Sequence, residues 1–158
     1  MGLFDILKKK EESQPVAPPQ LKVLVVDDEQ YLREFYQDLL AQQGYTVTMA
    51  TNGQEALTSV AKNKPDLILL DIMMPVIDGN HVLKILWDNP ATRTIPVIVL
   101  TNAGNIKNME NAEFYSAYKF LIKSNVSPDE VLKVVVEALT NPNKRVAGTM
   151  ATPQSPTG

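Results

Sequence analysis

Five short apolar runs punctuate the chain, and four of them close on a residue that can do chemistry. Leu67 to Leu70 is too short to span a membrane and too uniformly apolar for a half-solvated strand. It reads as a strand buried on both faces of a parallel sheet, and it ends on Asp71. Leu21 to Val26 repeats the pattern and ends on Asp27, Asp28 and Glu29. Ile95 to Leu100 ends on Thr101, and Phe120 to Ile122 ends on Lys123. Tyr45 to Ala50 alternates in polarity, which suits a strand nearer the sheet edge.

The stretches between these runs have helical spacing. Leu32, Phe35, Tyr36, Leu39 and Leu40 share one face of a helix over Gln30 to Gln43, with Gly44 as its left-handed stop. Asn52-Gly53-Gln54-Glu55 caps a second helix whose inner face is Ala56, Leu57, Val60 and Ala61, and Pro65 ends it. Asp78-Gly79 turns into a third, with Val82, Leu83, Ile85 and Leu86 inside, closing near Asn89-Pro90. A fourth is expected over Asn105 to Phe114. Ser127-Pro128-Asp129-Glu130 combines an N-cap, a first-turn proline and an acid three residues after the cap, so a fifth helix runs to about Thr140. The apolar set of that helix, Val131 to Leu139, covers more than half the wheel, which calls for deep burial or a partner. Five strands alternating with five helices predict a doubly wound α/β fold, because parallel neighbours need right-handed crossovers that place helices on both faces.

Composition narrows the class without changing that picture. At 158 residues the chain has the size of one domain, expected over residues 21–140. A net charge of -3 gives no reason to expect direct contact with nucleic acid. The absence of cysteine excludes disulfides and thiolate zinc sites, and suits a cytoplasmic protein. Neither a transmembrane run nor a signal peptide is recognisable. Residues 1–20 are expected to be a flexible tail. Leu3, Phe4, Ile6 and Leu7 form one side of a short amphipathic element there, and membrane contact by residues 1–10 is the lesser reading beside a solvated tail. Residues 141–158, with Pro142, Pro153 and Pro156, are expected to be a disordered tail with no second folded segment after the domain.

A lone Asp71 after a strand would be an ordinary turn residue. Its company argues otherwise, since the carboxyl ends of the strands in this topology lie side by side and ligands bind outside them. Asp27, Asp28 and Asp71 brought together repel one another unless a cation sits among them. Their all-oxygen donor set suits Mg²⁺ rather than zinc. A neighbouring Lys123 can neutralise a phosphoryl group, and the Thr101 hydroxyl can donate to its oxygen. His81, Trp87 and Met109 read as surface or packing residues.

Val25-Val26-Asp27-Asp28-Glu29, Leu70-Asp71-Ile72-Met73-Met74-Pro75 with Asp78-Gly79, Leu100-Thr101 and Leu121-Ile122-Lys123 closely resemble the receiver domain of two-component response regulators. The resemblance covers about Leu21 to Thr140 and implies a flavodoxin-like strand order, 2-1-3-4-5. It implies that Asp71 is the phosphoacceptor, served by a sensor histidine kinase or a phosphotransfer protein. It further implies that Asp27, Asp28, Asp71 and the backbone carbonyl of Met73 hold Mg²⁺, and that Thr101 and Lys123 contact the phosphoryl oxygens. Phe120 matches the aromatic that turns inward when Thr101 moves. A receiver of this kind is a self-phosphorylating and self-dephosphorylating switch, not an enzyme with an outside substrate. Its output is a contact with a downstream protein or a second copy, through the face of the fourth helix, fifth strand and fifth helix. Two positions depart from the pattern. Ser124 follows Lys123 where the family usually has a proline joined by a cis bond, and Asn102 stands where Ala, Gly or Ser is common. These departures are the grounds for one alternative, a phosphorylation-independent pseudo-receiver. A Mg²⁺-dependent phosphatase is disfavoured because Met73 stands where a second acid would be wanted.

Overall fold

A computed structural model describes residues 20–102 and 116–142. The expected helix over 105–114, the amphipathic element at 1–10 and the tail from 143 onward lie outside the described residues.

The strands are β1 Lys22–Val26, β2 Thr46–Ala50, β3 Leu67–Asp71, β4 Val97–Thr101 and β5 Lys119–Ile122. The described helices are α1 Gln30–Ala41, α2 Gly53–Lys62, α3 Gly79–Asp88 and α4 Pro128–Thr140. All strand pairs are parallel and the sheet order is β2-β1-β3-β4-β5, the doubly wound, flavodoxin-like arrangement expected. Parallel registry decides where the polar strand ends meet. Val26 pairs with Ala50 and with Leu70, Asp71 with Leu100, and Thr101 with Ile122. The strands therefore end nearly level, and the residues that close them crowd one edge.

Side-chain alternation divides the core between the two faces of the sheet. Leu24, Val26, Ile68, Leu70, Val97 and Val99 point into a cluster with α2 and α3. Val23, Val25, Leu67, Leu69, Ile98 and Leu100 point into the other, with α1 and α4. Every residue of β3 and β4 is buried, which explains why their sequences are apolar without alternation. β2 lies at an edge and exposes Thr46, Thr48 and Met49, as its mixed pattern indicated.

The helix ends follow their sequence signals. The Asn52 side chain accepts from the Glu55 N–H, Asp78 from the His81 N–H, and Ser127 with Glu130 forms a complete capping box. Gly44 has a φ of +90°, the left-handed stop after α1. β4 begins at Val97 rather than Ile95, because Pro96 has no N–H for the ladder and the Ile95 N–H turns back to Thr92. The broad apolar stripe of α4 is largely spent on the core: Val131, Val134, Val135 and Ala138 are buried and Val136 is exposed.

Candidate functional site

The carboxyl edge of the sheet gathers Asp27, Asp28, Asp71, Thr101 and Lys123. The Asp27 N–H extends the ladder by bonding the Ala50 carbonyl, so its side chain emerges at the end of β1. Asp27 Oδ1 accepts from the Glu29 N–H at 2.9 Å, and Oδ2 from Lys123 Nζ at 2.8 Å. Asp71 Oδ1 accepts from the Met73 N–H at 3.2 Å, while Oδ2 lies 3.5 Å from Lys123 Nζ. Asp27 and Asp71 are only 3% and 5% exposed, and Asp28 is exposed at the rim.

One ligand oxygen from each of the three carboxylates lies within 4.8 Å of the others. Opposite ligands about a single Mg²⁺ stand about 4.2 Å apart, so a small contraction would close this set on a dication. Charge argues the same way. Three acids against one ammonium leave the cluster two charges short of neutral. Burial pushes Asp71 up from 3.8 to about 6; Asp27 and Asp28 add to the rise, while Lys123 and the Met73 N–H oppose it. Burial draws Lys123 down, but the Asp27 hydrogen bond and the charges of Asp27 and Asp71 outweigh it and hold the ammonium above its ordinary range. The lysine is thus fixed as a cation, and the ionised form of Asp71 is in need of a further positive charge.

Thr101 is 1% exposed, and its Oγ1 has no hydrogen-bond partner among the described residues. A buried hydroxyl left unpaired is unfavourable, so its presence beside the acids marks a place for an acceptor. The Lys123 N–H bonds the Thr101 carbonyl at 2.8 Å, which ties the two residues together through the β4–β5 ladder. Phe120 is half-buried and packs against the cluster on the α2 and α3 side. Ser124 does not dislodge the lysine. No peptide bond among the described residues is cis, and Lys123 still reaches both acids. Asn102 is exposed.

The loop after Asp71 is tightly held. The Ile77 N–H bonds the Pro75 carbonyl across Val76, whose φ is +70°, a three-residue turn of the rare positive-φ kind. The Gly79 N–H then bonds the Ile72 carbonyl. A Cβ on Gly79 would sit 2.5 Å from the Asp71 carbonyl oxygen and 2.7 Å from Ile72 Cα, so glycine is what lets α3 start against the end of β3. The sequence showed Asp78-Gly79 as a turn but not this close approach, and gave no hint of the strain at Val76.

Arg33 is a further residue that sequence reasoning passed over. Its Nη1 donates to the carbonyl of Asp27 at 2.8 Å and to that of Asp28 at 2.9 Å. An arginine one turn into the helix after the paired acids was the available signal.

Comparison with known proteins agrees with this geometry. Residues 23–136 match the model of the response regulator receiver domain. Protein PilG of Pseudomonas aeruginosa is 31% identical over 115 residues, covering 73% of this chain and 84% of that protein. The gliding motility regulatory protein of Myxococcus xanthus is 34% identical over 128 residues, which cover 81% of this chain but 16% of that protein. The chain spans about half or less of the length of most curated relatives it matches. The chemotaxis response regulator CheY4 of Vibrio cholerae superposes with a TM-score of 0.67 at 29% identity, over 75% of this chain and 98% of that one. With the family pattern matched across most of its length and the paired acids, Asp71, Thr101 and Lys123 assembled at one sheet edge, the chain belongs to the response regulator receiver domains of two-component systems.

Proposed function

We propose that Asp71 is the phosphoacceptor of this receiver, taking a phosphoryl group from a sensor histidine kinase or a phosphotransfer protein and losing it by hydrolysis. The observation that carries the reading is the setting of Asp71: a buried carboxylate beside two further acids, a fixed lysine cation and a threonine hydroxyl with no partner among the described residues.

An ionised oxygen of Asp71 attacks phosphorus as the phosphorus–nitrogen bond to the donor imidazole breaks, and the electron pair leaves with the imidazole. With Asp71 at about 6, most of the carboxylate is already ionised at neutral pH. Asp27, Asp28, Asp71 and the Met73 carbonyl would hold Mg²⁺, which supplies charge neutralisation between the carboxylate and the incoming phosphoryl oxygens. Lys123 Nζ contributes a second, fixed positive charge, and Thr101 Oγ1 donates to a phosphoryl oxygen. The domain then acts as a switch rather than as an enzyme with an outside substrate.

The modification replaces a single negative charge with roughly two. Thr101 is drawn toward them. Because Thr101 and Lys123 are bonded across the ladder, the movement is passed to β5 and Phe120. The output face is built from β5 and α4, where Lys119, Leu121, Val126, Lys133, Val134 and Glu137 line an open groove. A downstream protein or a second copy docks there in the phosphorylated state, in the cytoplasm where the kinase domain works.

The test is incubation with Mg²⁺ and acetyl phosphate, followed by intact-mass spectrometry. A labile single phosphoryl adduct that requires Mg²⁺ is expected. No adduct, with acetyl phosphate or with a cognate kinase, would overturn the reading in favour of a phosphorylation-independent receiver.

A further inference from the structure

Asp27 and Asp28 sit on a turn that lacks the usual fastening. Glu29 occupies the N-cap of α1 without a side-chain cap bond, and no acid stands in the first turn of that helix. The turn is held instead by two side chains. Asp27 Oδ1 takes the Glu29 N–H, and Arg33 Nη1 bridges the consecutive carbonyls of Asp27 and Asp28. Fixing two neighbouring carbonyls fixes the peptide planes at both residues, and so sets the direction in which each Cα–Cβ bond leaves the backbone.

We infer that Arg33 is a positioning residue for the divalent-cation site, holding the β1–α1 turn so that the Asp27 and Asp28 carboxylates converge with Asp71. The inference rests on the reading of the three acids as a metal site. Arg33 does not touch the cation; it acts through the two peptide groups. It also brings positive charge close to the site, for its guanidinium lies within hydrogen-bond distance of the carbonyls of both Asp27 and Asp28.

These two properties act in opposite directions on cation affinity. If Arg33 were only a nearby charge, removing it would strengthen binding of a dication. If it sets geometry, removing it weakens binding, by about tenfold for an outer partner of a metal ligand. A stability role alone would change neither.

The experiment is calorimetric titration of the full chain with MgCl₂, with thermal unfolding in EDTA run in parallel. The proteins are wild type, Arg33→Met, Arg33→Leu, Arg33→Lys and Asp28→Asn. Arg33→Met is expected to raise the Mg²⁺ Kd about tenfold despite the loss of a positive charge. Arg33→Lys, which keeps the charge and a donor, is expected to recover most of the affinity. Arg33→Leu, which likewise has neither donor nor charge, serves in place of Arg33→Met should that variant not fold. Unchanged or tighter binding in the folded Met or Leu variant overturns the inference, as does a Lys variant as weak as the Met variant. Loss of affinity in Asp28→Asn but not in the Arg33 variants leaves the metal site standing and removes only Arg33 from it. A wild-type chain that does not bind Mg²⁺ overturns both.

Discussion

Replacing Asp71 with Asn should stabilise the metal-free protein. Asp71 is an acid whose folded-state pKa, about 6, lies above the ordinary 3.8 because burial disfavours its charge. As pH rises the unfolded chain loses this proton first, so the native state binds more protons between about pH 4 and pH 6, and stability falls as pH rises through that window. The shift is about two units at about 1.4 kcal/mol each, so an ionised Asp71 lowers stability by about 3 kcal/mol at pH 7. An Asn amide replaces the neutral carboxyl imperfectly, which offsets about 1 kcal/mol. The net gain at pH 7 is about 2 kcal/mol, a rise in Tm of about 6–10 °C for a domain of this size. The assay is urea unfolding of wild type and Asp71→Asn in EDTA at pH 7 and at pH 4, followed by circular dichroism. The difference between the two proteins should be large at pH 7 and nearly vanish at pH 4. A variant less stable at pH 7, or a difference that does not change with pH, would refute the reasoning.

Other substitutions test separate parts of the account. Thr101→Val exchanges a buried hydroxyl with no partner among the described residues for a methyl group, so it should raise stability by about 1 kcal/mol while reducing phosphoryl adduct formed from acetyl phosphate. Equal adduct formation would remove the hydroxyl from the mechanism. Val76→Gly should relieve the positive-φ strain, and after the entropy cost of glycine the expected gain is about 1 kcal/mol in chemical denaturation. Gly79→Ala should lose about 1–3 kcal/mol, because the new methyl meets backbone at Asp71 and Ile72 that has no room to move.

The fold was legible because its determinants are local and periodic. Uniformly apolar β3 and β4 are buried on both faces, alternating β2 lies at an edge, and the caps at Asn52, Asp78 and Ser127 start their helices. The gathering of Asp27, Asp28, Asp71, Thr101 and Lys123 was also legible, since parallel strands of nearly equal length bring their ends almost level. Other features depend on approach distances that periodicity does not encode. Gly79 looks like any turn glycine until β3 and α3 are packed together. Val76 carries its strain because the loop must close between Asp71 and that helix start, although nothing about valine signals a positive φ. The bridge from Arg33 to two carbonyls joins residues one to two helical turns apart, where the usual expectation for a helix-borne arginine is a carboxylate partner. Ser124 departs from the family's proline and its peptide bond is not cis, yet Lys123 keeps its hydrogen bond to Asp27 and its N–H keeps its bond to the Thr101 carbonyl.

The central claim is that Asp71 carries the phosphoryl group, and chemical mapping tests it most directly. The protein is treated with acetyl phosphate and Mg²⁺, reduced with borohydride to convert an acyl phosphate into a stable alcohol, and digested for peptide mass spectrometry. Conversion of Asp71 to homoserine, absent without Mg²⁺ and absent in Asp71→Asn, is the predicted result. Reduction at another carboxylate, or none at all with the protein folded and Mg²⁺ bound, would contradict the account.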